Sequence, residues 1–334
     1  MNNPEGRIGV LGNGSWSSAL VKILTDNGQQ VNWWMRSGPA LAHLRATAHN
    51  AHYLKSVRFD LSHIEFHEDL ENCVSQSDIL LAGIPSAFIA DTLSVLPLQS
   101  LQNKTVLSAI KGILPGSYTL FHQYLETTFQ FPLQHYACIA GPCHAEEIAA
   151  EKLSYLTFAA ADSSLATGMA SRFQNSYLQT VVSEDIIGVQ YAAVLKNIYA
   201  LGAGIAHGLD YGDNFLSVFI TNGFAEMQTF LQTVPEASKS HYNSSVYLGD
   251  LLVTCYSLHS RNRTFGNYIG KGYSVHATQL ELNMVAEGYY ASKGIHEIAL
   301  RQGLHLPIAE RIYRILWEQQ SPAAMFSEIE QCCH

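Results

Sequence analysis

Short apolar runs alternate with longer segments of helical period through the first half of the chain, and the alternation stops near residue 184. Ile8-Gly9-Val10-Leu11 reads as a buried strand, Ser15 to Asn27 as a helix stopped by Gly28, and Val31 to Met35 as a second strand. Ile79 to Ile84, Thr105 to Ile110, Tyr136 to Ala140, Leu156 to Ala160 and Thr180 to Val182 are further strands by the same test: each is short, apolar and closed by a turn-forming or charged residue. Strands that alternate with helices indicate βαβ units and a parallel sheet. From Ile186 onward the pattern is helical only, over Gly188 to Gly202, Phe215 to Gln232, Leu248 to Ser257 and Ala286 to Gln302. The expected class is α/β: a Rossmann-like parallel-sheet domain over residues 1–188 and an all-helical domain over residues 189–334.

Composition narrows the function. A chain of 334 residues suits two domains, and 47% hydrophobic residues fill a sizeable core. A net charge of −9 speaks against a broad nucleic-acid surface, which needs clustered Lys and Arg, but leaves room for a local basic pocket. Six cysteines form no C-x-x-C pair, so free thiols in a reducing compartment are expected. Met1 to Glu5 lacks the basic region of a signal peptide, and no uninterrupted apolar run approaches the ~20 residues of a membrane span; the expected location is the cytoplasm. His43, His49 and His52 read as a solvated helical face, and no metal is expected. The absence of a G-x-S-x-G elbow and of a Ser-His-Asp order argues against a hydrolase.

Several motifs carry chemistry. After the first strand comes Gly12-Asn13-Gly14-Ser15-Trp16-Ser17, a G-x-G-x-x-S run that opens a helix. In a dinucleotide fingerprint the first glycine makes the turn, the second admits the pyrophosphate, and the helix N-terminus faces its charge. The second strand ends at Arg36 with no acid between Asp26 and Asp60; Arg36 is placed to meet a ribose 2′-phosphate or to stack on adenine. Lys196 interrupts the apolar run Tyr191 to Leu201, where a lysine is either paired and functional or snorkels to solvent. Asp250 and Thr254 share a helix face, and Ser260-Arg261-Asn262-Arg263 reads as a phosphate clamp or as a polar loop at a helix end. Lys111, Gly141, Cys143 and Ala145 follow strand ends, where open α/β sheets bind ligands. Taken alone, Lys111 is an ordinary loop lysine and Glu287 an ordinary first-turn carboxylate.

Together with Gly112, Pro142, Val189-Gln190, Asn197, Gly249, Leu251, Cys255, Gly266 and Val285-Ala286-Glu287-Gly288-Tyr289, these residues stand in collinear order from residue 7 to about 318, and the chain resembles the bacterial NAD(P)-dependent glycerol-3-phosphate dehydrogenases. The resemblance implies a homodimer that interconverts sn-glycerol 3-phosphate and dihydroxyacetone phosphate with NADPH or NADH and supplies phospholipid synthesis. It implies Lys196 as the proton-transfer residue, and Lys111, Gly141, Cys143, Asp250, Ser260, Arg261 and Asn262 as substrate residues. It implies Gly12, Gly14, Ser15, Trp16, Arg36, Ala145, Val285 and Glu287 as cofactor contacts, with Lys111 and Arg261 touching both ligands. Three departures stand out: Ser17 replaces the usual small Gly or Ala, Cys143-His144 replaces the usual Ser or Thr followed by Phe, and Asp210-Tyr211-Gly212-Asp213-Asn214 adds acidity to a Gly-rich loop. The rival readings are a dehydrogenase for another small hydroxy acid and a dinucleotide sensor without catalysis.

Overall fold

The structure, a computed structural model, describes residues 6–237, 241–282 and 286–333. Eight strands form one sheet: β1 (Ile8–Leu11), β2 (Val31–Trp34), β3 (Ile64–His67), β4 (Ile79–Ala82), β5 (Thr105–Ser108), β6 (Tyr136–Ala140), β7 (Ser154–Ala160) and β8 (Leu178–Ser183). Their order is β3-β2-β1-β4-β5-β6-β7-β8. In the central pairs Ile8 stands opposite Val31 on one side and Ile79 on the other, both parallel. The strand order therefore reverses between β1 and β4, the crevice in which doubly wound sheets bind nucleotides.

The sheet departs from the expected all-parallel form at one place. β7 runs antiparallel to β6, with Ile139 opposite Phe158. Only the five-residue helix Ala145–Ala149 separates these strands. At 1.5 Å per residue it spans roughly 7–8 Å, against roughly 16 Å for a five-residue strand, so it is too short to carry the chain back for a parallel return. β3 has no counterpart in the expected strand set. Its Ile-Glu-Phe-His sequence buries only Ile64 and His67 fully, as suits an edge strand.

The chain divides into two compact units. One comprises the residues up to Ile110 with Phe121–Ile186; the other comprises Lys111–Leu120 with the chain from Ile187 onward. The segment Lys111–Leu120, expected in the sheet domain, thus belongs to the helical unit, where a Cβ on Gly294 would stand 3.0 Å from Ile113. At the centre of the helical unit lies the Ile186–Gly208 helix. By length and composition it could cross a membrane, but its apolar window is wholly buried inside the protein. It is a core helix, and the sequence expectation stopped at Gly202, short of its end, because Gly202, Gly204 and Gly208 punctuate its last two turns.

That helix crosses the Arg261–Gly270 helix at backbone contact. Gly204 and Gly208 on one helix, and Gly266 and Gly270 on the other, lie four residues apart and face each other. A Cβ on Gly266 would stand 1.9 Å from the Leu201 carbonyl oxygen, and one on Gly204 would stand 2.0 Å from that of Arg263.

A second buried device joins the Asp213–Gln232 helix to the Pro307–Trp317 helix. Glu226 accepts the backbone N–H groups of Ile308 at 2.5 Å and Ala309 at 3.1 Å, and the Tyr199 hydroxyl donates to it at 3.3 Å. Burial outweighs these donors and pushes the Glu226 carboxyl up to about 7. The native state therefore holds this proton more tightly than the unfolded chain. The resulting stabilisation is complete below the unfolded value near 4.5 and is lost as pH rises through 7. The displacement corresponds to about 3 kcal/mol. The melting temperature of the parent is expected to fall several degrees more between pH 5 and pH 7.5 than that of Glu226→Gln; equal slopes in thermal denaturation would refute the assignment.

Candidate active site

In the sheet unit the fingerprint folds as a strand, a turn and a helix. Gly12 has φ +106°, a conformation that favours glycine, and its N–H donates to the Trp34 carbonyl at 3.1 Å. The Trp33 indole N–H donates to the Gly12 carbonyl at 2.7 Å. Gly14 is the cap residue of the Ser15–Asp26 helix, and a Cβ there would meet nothing within 4 Å. No side chain closes the first helical turn, and the cradle suits a pyrophosphate on the helix N-terminus. Ser15 and Trp16 line this turn, half-buried.

Ser17, the departure at the third fingerprint position, is fully buried, and its hydroxyl donates to the Gly83 carbonyl at 2.9 Å. Gly83 has no Cβ to oppose it; one there would stand 2.3 Å from Ser17 Oγ. Close packing is kept because the small residue has moved to the end of β4. Asn50 went unnoticed in the sequence. Buried, it donates to the Asn13 carbonyl at 3.1 Å and to Ser18 Oγ at 2.9 Å, which ties down the back of the loop.

Arg36 is exposed just past β2, before the Ser37-capped helix Gly38–Thr47. An acid absent from the local sequence stands beside the start of the helix that follows Arg36: Glu68 follows β3, its carboxylate lies 3.6 Å from where a Cβ on Gly38 would be, and its carbonyl accepts the Trp34 indole N–H at 3.0 Å. Gly141 has φ +128°, and a Cβ there would come within 3.0 Å of the Tyr155 carbonyl, so backbone geometry alone requires a glycine. Cys143 and Ala145 are both 6% exposed and belong to the apolar core of the sheet unit, so the Cys143 side chain serves packing first. The Ala145–Ala149 helix packs against the fingerprint helix.

In the helical unit Lys196 and Asp250 form a buried ion pair between Nζ and Oδ1. They are 3% and 1% exposed, so this lysine does not reach solvent. The Thr254 hydroxyl donates to the Asp250 carbonyl at 2.5 Å. Buried Cys255 stands nearby: burial pushes its thiol up, and Lys196 and Arg263 pull against that. Ser260 ends the connection that follows the Asp250–Tyr256 helix. It caps the Arg261–Gly270 helix, its Oγ accepting the Arg263 N–H at 3.2 Å. Arg261, the first residue of that helix, is exposed. The Asn262 amide turns inward to Asn197 at 2.8 Å, and the Asn197 amide donates to the Lys111 carbonyl at 2.8 Å. Glu287 opens the Glu287–Gln302 helix, half-buried. Val285 lies outside the described residues. Among the described residues no His, Cys, Asp or Glu cluster suits a metal.

A doubly wound sheet with a dinucleotide cradle, joined to a helical unit that buries a lysine–carboxylate pair and presents an arginine at a helix start, defines a two-domain nicotinamide-dinucleotide dehydrogenase. The family profile for the NAD-dependent glycerol-3-phosphate dehydrogenase N-terminus matches residues 7–166, and that for the C-terminus matches residues 185–327. The glycerol-3-phosphate dehydrogenase (NAD(P)+) of Streptococcus equi subsp. equi is 33% identical over 317 residues, covering 94% of this chain and 93% of the relative. That of Lacticaseibacillus paracasei is 34% identical over 320 residues, covering 93% and 91%. The crystal structure of the glycerol-3-phosphate dehydrogenase from Coxiella burnetii superposes with a TM-score of 0.89 at 26% identity, covering 98% of this chain and 99% of that one. This chain belongs to the NAD-dependent glycerol-3-phosphate dehydrogenase family.

Proposed function

We propose that this protein interconverts sn-glycerol 3-phosphate and dihydroxyacetone phosphate with NADH or NADPH. The observation that carries the reading is the buried pair of Lys196 and Asp250. When bound, the reduced nicotinamide supplies the hydride. Lys196, as the ammonium, gives a proton to the substrate oxygen as the carbonyl is reduced; in the reverse direction the neutral amine takes the hydroxyl proton. Asp250 holds the Lys196 ammonium in place, so its direction is set before substrate arrives.

Arg261 holds the phosphate, supported by Ser260 and the start of the Arg261–Gly270 helix, where a guanidinium fork and free N–H groups favour an anion. Lys111 completes the charge complement, and Gly141 and Cys143 contribute through backbone. Gly12, Gly14, Ser15, Trp16, Ala145, Val285 and Glu287 would hold the dinucleotide. Arg36 and Glu68 give opposite charges to the adenosine end of the sheet, one suited to a 2′-phosphate and the other to a ribose hydroxyl, which supports dual cofactor use. In this reading the protein is a cytoplasmic homodimer that supplies glycerol 3-phosphate for phospholipid synthesis.

The test is consumption of NADH and of NADPH, followed by absorbance, with dihydroxyacetone phosphate and with unphosphorylated dihydroxyacetone. Rapid turnover of the phosphorylated ketone alone is expected; none with either cofactor would overturn the reading. Charge-assisted hydrogen bonds contribute roughly 1.5–3 kcal/mol each, so Arg261→Ala should raise KM for dihydroxyacetone phosphate on the order of 10- to 100-fold. It should leave the poor reduction of dihydroxyacetone nearly unchanged. Equal losses on both substrates would show that Arg261 serves the fold or the cofactor instead.

A further inference from the structure

Four successive carbonyl groups of the fingerprint turn are each held by a donor of the sheet unit. The Leu11 carbonyl accepts the Gly83 N–H at 3.1 Å, and the Gly12 carbonyl accepts the Trp33 indole N–H at 2.7 Å. The Asn13 carbonyl accepts the Asn50 side-chain amide at 3.1 Å, and the Gly14 carbonyl accepts the Ser18 N–H at 2.9 Å. In a trans peptide the N–H points opposite to the C=O of the same unit. Holding the carbonyls of Gly12, Asn13 and Gly14 therefore turns the N–H groups of Asn13, Gly14 and Ser15 away from those donors, and successive N–H groups so turned make an anion nest.

The backbone of this turn offers little resistance to a peptide flip, because two of its residues are glycines and Gly12 already stands at φ +106°. A flipped unit would aim a carbonyl oxygen at the pyrophosphate and repel it. Two side chains oppose the flip from the interior. Trp33 is fully buried, its ring centroid 5.1 Å from that of Phe59 and 6.2 Å from that of Phe66, so its indole N–H is aimed by packing. Asn50 is 4% exposed; its Oδ1 accepts the N–H groups of His52 at 3.0 Å and Tyr53 at 3.1 Å, which fixes Nδ2 as the end that faces the Asn13 carbonyl.

We infer that Trp33 and Asn50 are positioning residues of the dinucleotide site: through the Gly12 and Asn13 carbonyls they lock two adjacent peptide units, so that the N–H groups of those units face the pyrophosphate before it arrives. The inference rests on the reading of the fingerprint turn as that site. Both side chains are buried behind the turn and touch no ligand, so their effect is separable from direct contact. Both locks serve one nest. Loss of either removes most of the benefit, and loss of both removes little more.

The probes are ADP-ribose, which carries the pyrophosphate without the nicotinamide, and adenosine, which carries no phosphate. Binding to the full chain is followed by isothermal titration calorimetry for the first and by ligand-observed NMR for the second. Trp33→Phe and Asn50→Ala should each raise the Kd of ADP-ribose about 10- to 100-fold, the range expected when a charge-assisted hydrogen bond is lost. The Kd of adenosine should stay within about twofold. In turnover the KM for NADH should rise by a similar factor while kcat at saturating NADH stays within about threefold. The double variant should bind ADP-ribose within about threefold of the weaker single variant. If Trp33→Phe does not fold, as judged by circular dichroism, Asn50→Ala and Asn50→Asp carry the test, since the latter keeps the acceptor for His52 and Tyr53 and loses the donor to Asn13. A purely structural role would lower the melting temperature and leave the ratio of the two Kd values at that of the parent, and that result overturns the inference. Losses that multiply in the double variant also overturn it, because they would place the two residues on separate features. A parent that binds neither ADP-ribose nor NADH refutes the dehydrogenase reading instead.

Discussion

Lys196→Met should reduce kcat by at least two to four orders of magnitude while NADH binding, measured by fluorescence titration, stays within a few-fold of the parent. Proton transfer by a positioned group is worth roughly 10²- to 10⁴-fold, and the substitution removes the only group to which the mechanism assigns it. The same change strands Asp250, 1% exposed, without its cation. Breaking a buried pair from one side costs about 3–5 kcal/mol, so the variant should also melt earlier. Lys196→Met combined with Asp250→Asn removes the stranded charge. It should recover much of the stability and none of the turnover. This separates chemistry from folding: turnover within tenfold of the parent in either variant would end the assignment of Lys196.

Gly266→Ala should be among the most damaging single-methyl changes in the chain. The added carbon would stand 1.9 Å from the Leu201 carbonyl oxygen and 2.9 Å from the Ile205 nitrogen. Both are backbone atoms and cannot rotate aside. Overpacking a core costs typically 1–3 kcal/mol when side chains can give, and here the two helices must separate, so a loss of about 3 kcal/mol or more is expected. Separation would also draw Asn262 away from Asn197, so activity should fall in the fraction that still folds. Gly212→Ala is the control: a Cβ there meets nothing within 4 Å at an ordinary φ of −82°, and the cost should stay below about 1 kcal/mol. Comparable chemical-denaturation midpoints for the two variants would contradict the close crossing.

What could be read from the sequence follows the range of the interaction. The fingerprint turn, the strands around it and the two-part division rest on local periodicity and on glycines at a turn, and these were legible. Lys196 stood out because a lysine in an apolar helix is locally anomalous; Asp250 was singled out beside Thr254, but the two lie in different helices and only the fold pairs Lys196 with Asp250. Ser17 looked like a departure because its compensation, Gly83, sits at the end of another strand. Asn50 leaves only a local turn signature, accepting the N–H groups of His52 and Tyr53, while its contact with Asn13 is long-range. β3 was missed because an edge strand need not be apolar, and the reversal of β7 depended on the length of a connection rather than on any residue. The glycines at 204, 208, 266 and 270 were visible, but paired small residues four apart acquire meaning only once two helices are known to cross.

The burial of the Ile186–Gly208 helix has a consequence for biosynthesis. Its cover is supplied by segments encoded downstream: Tyr199 packs on Gly223, the Leu201 carbonyl on Gly266, and Gly202 on Ile312. At ordinary elongation rates of roughly 5–20 residues per second, the last of these, about 110 residues later, emerges some 5–20 seconds after the helix. Until that interval ends the nascent chain carries an apolar segment of membrane-span length whose set of partners is incomplete. Truncations that stop before the Pro307–Trp317 helix hold the chain in that state permanently, and they should appear in the insoluble fraction or bound to chaperones rather than as a smaller folded protein.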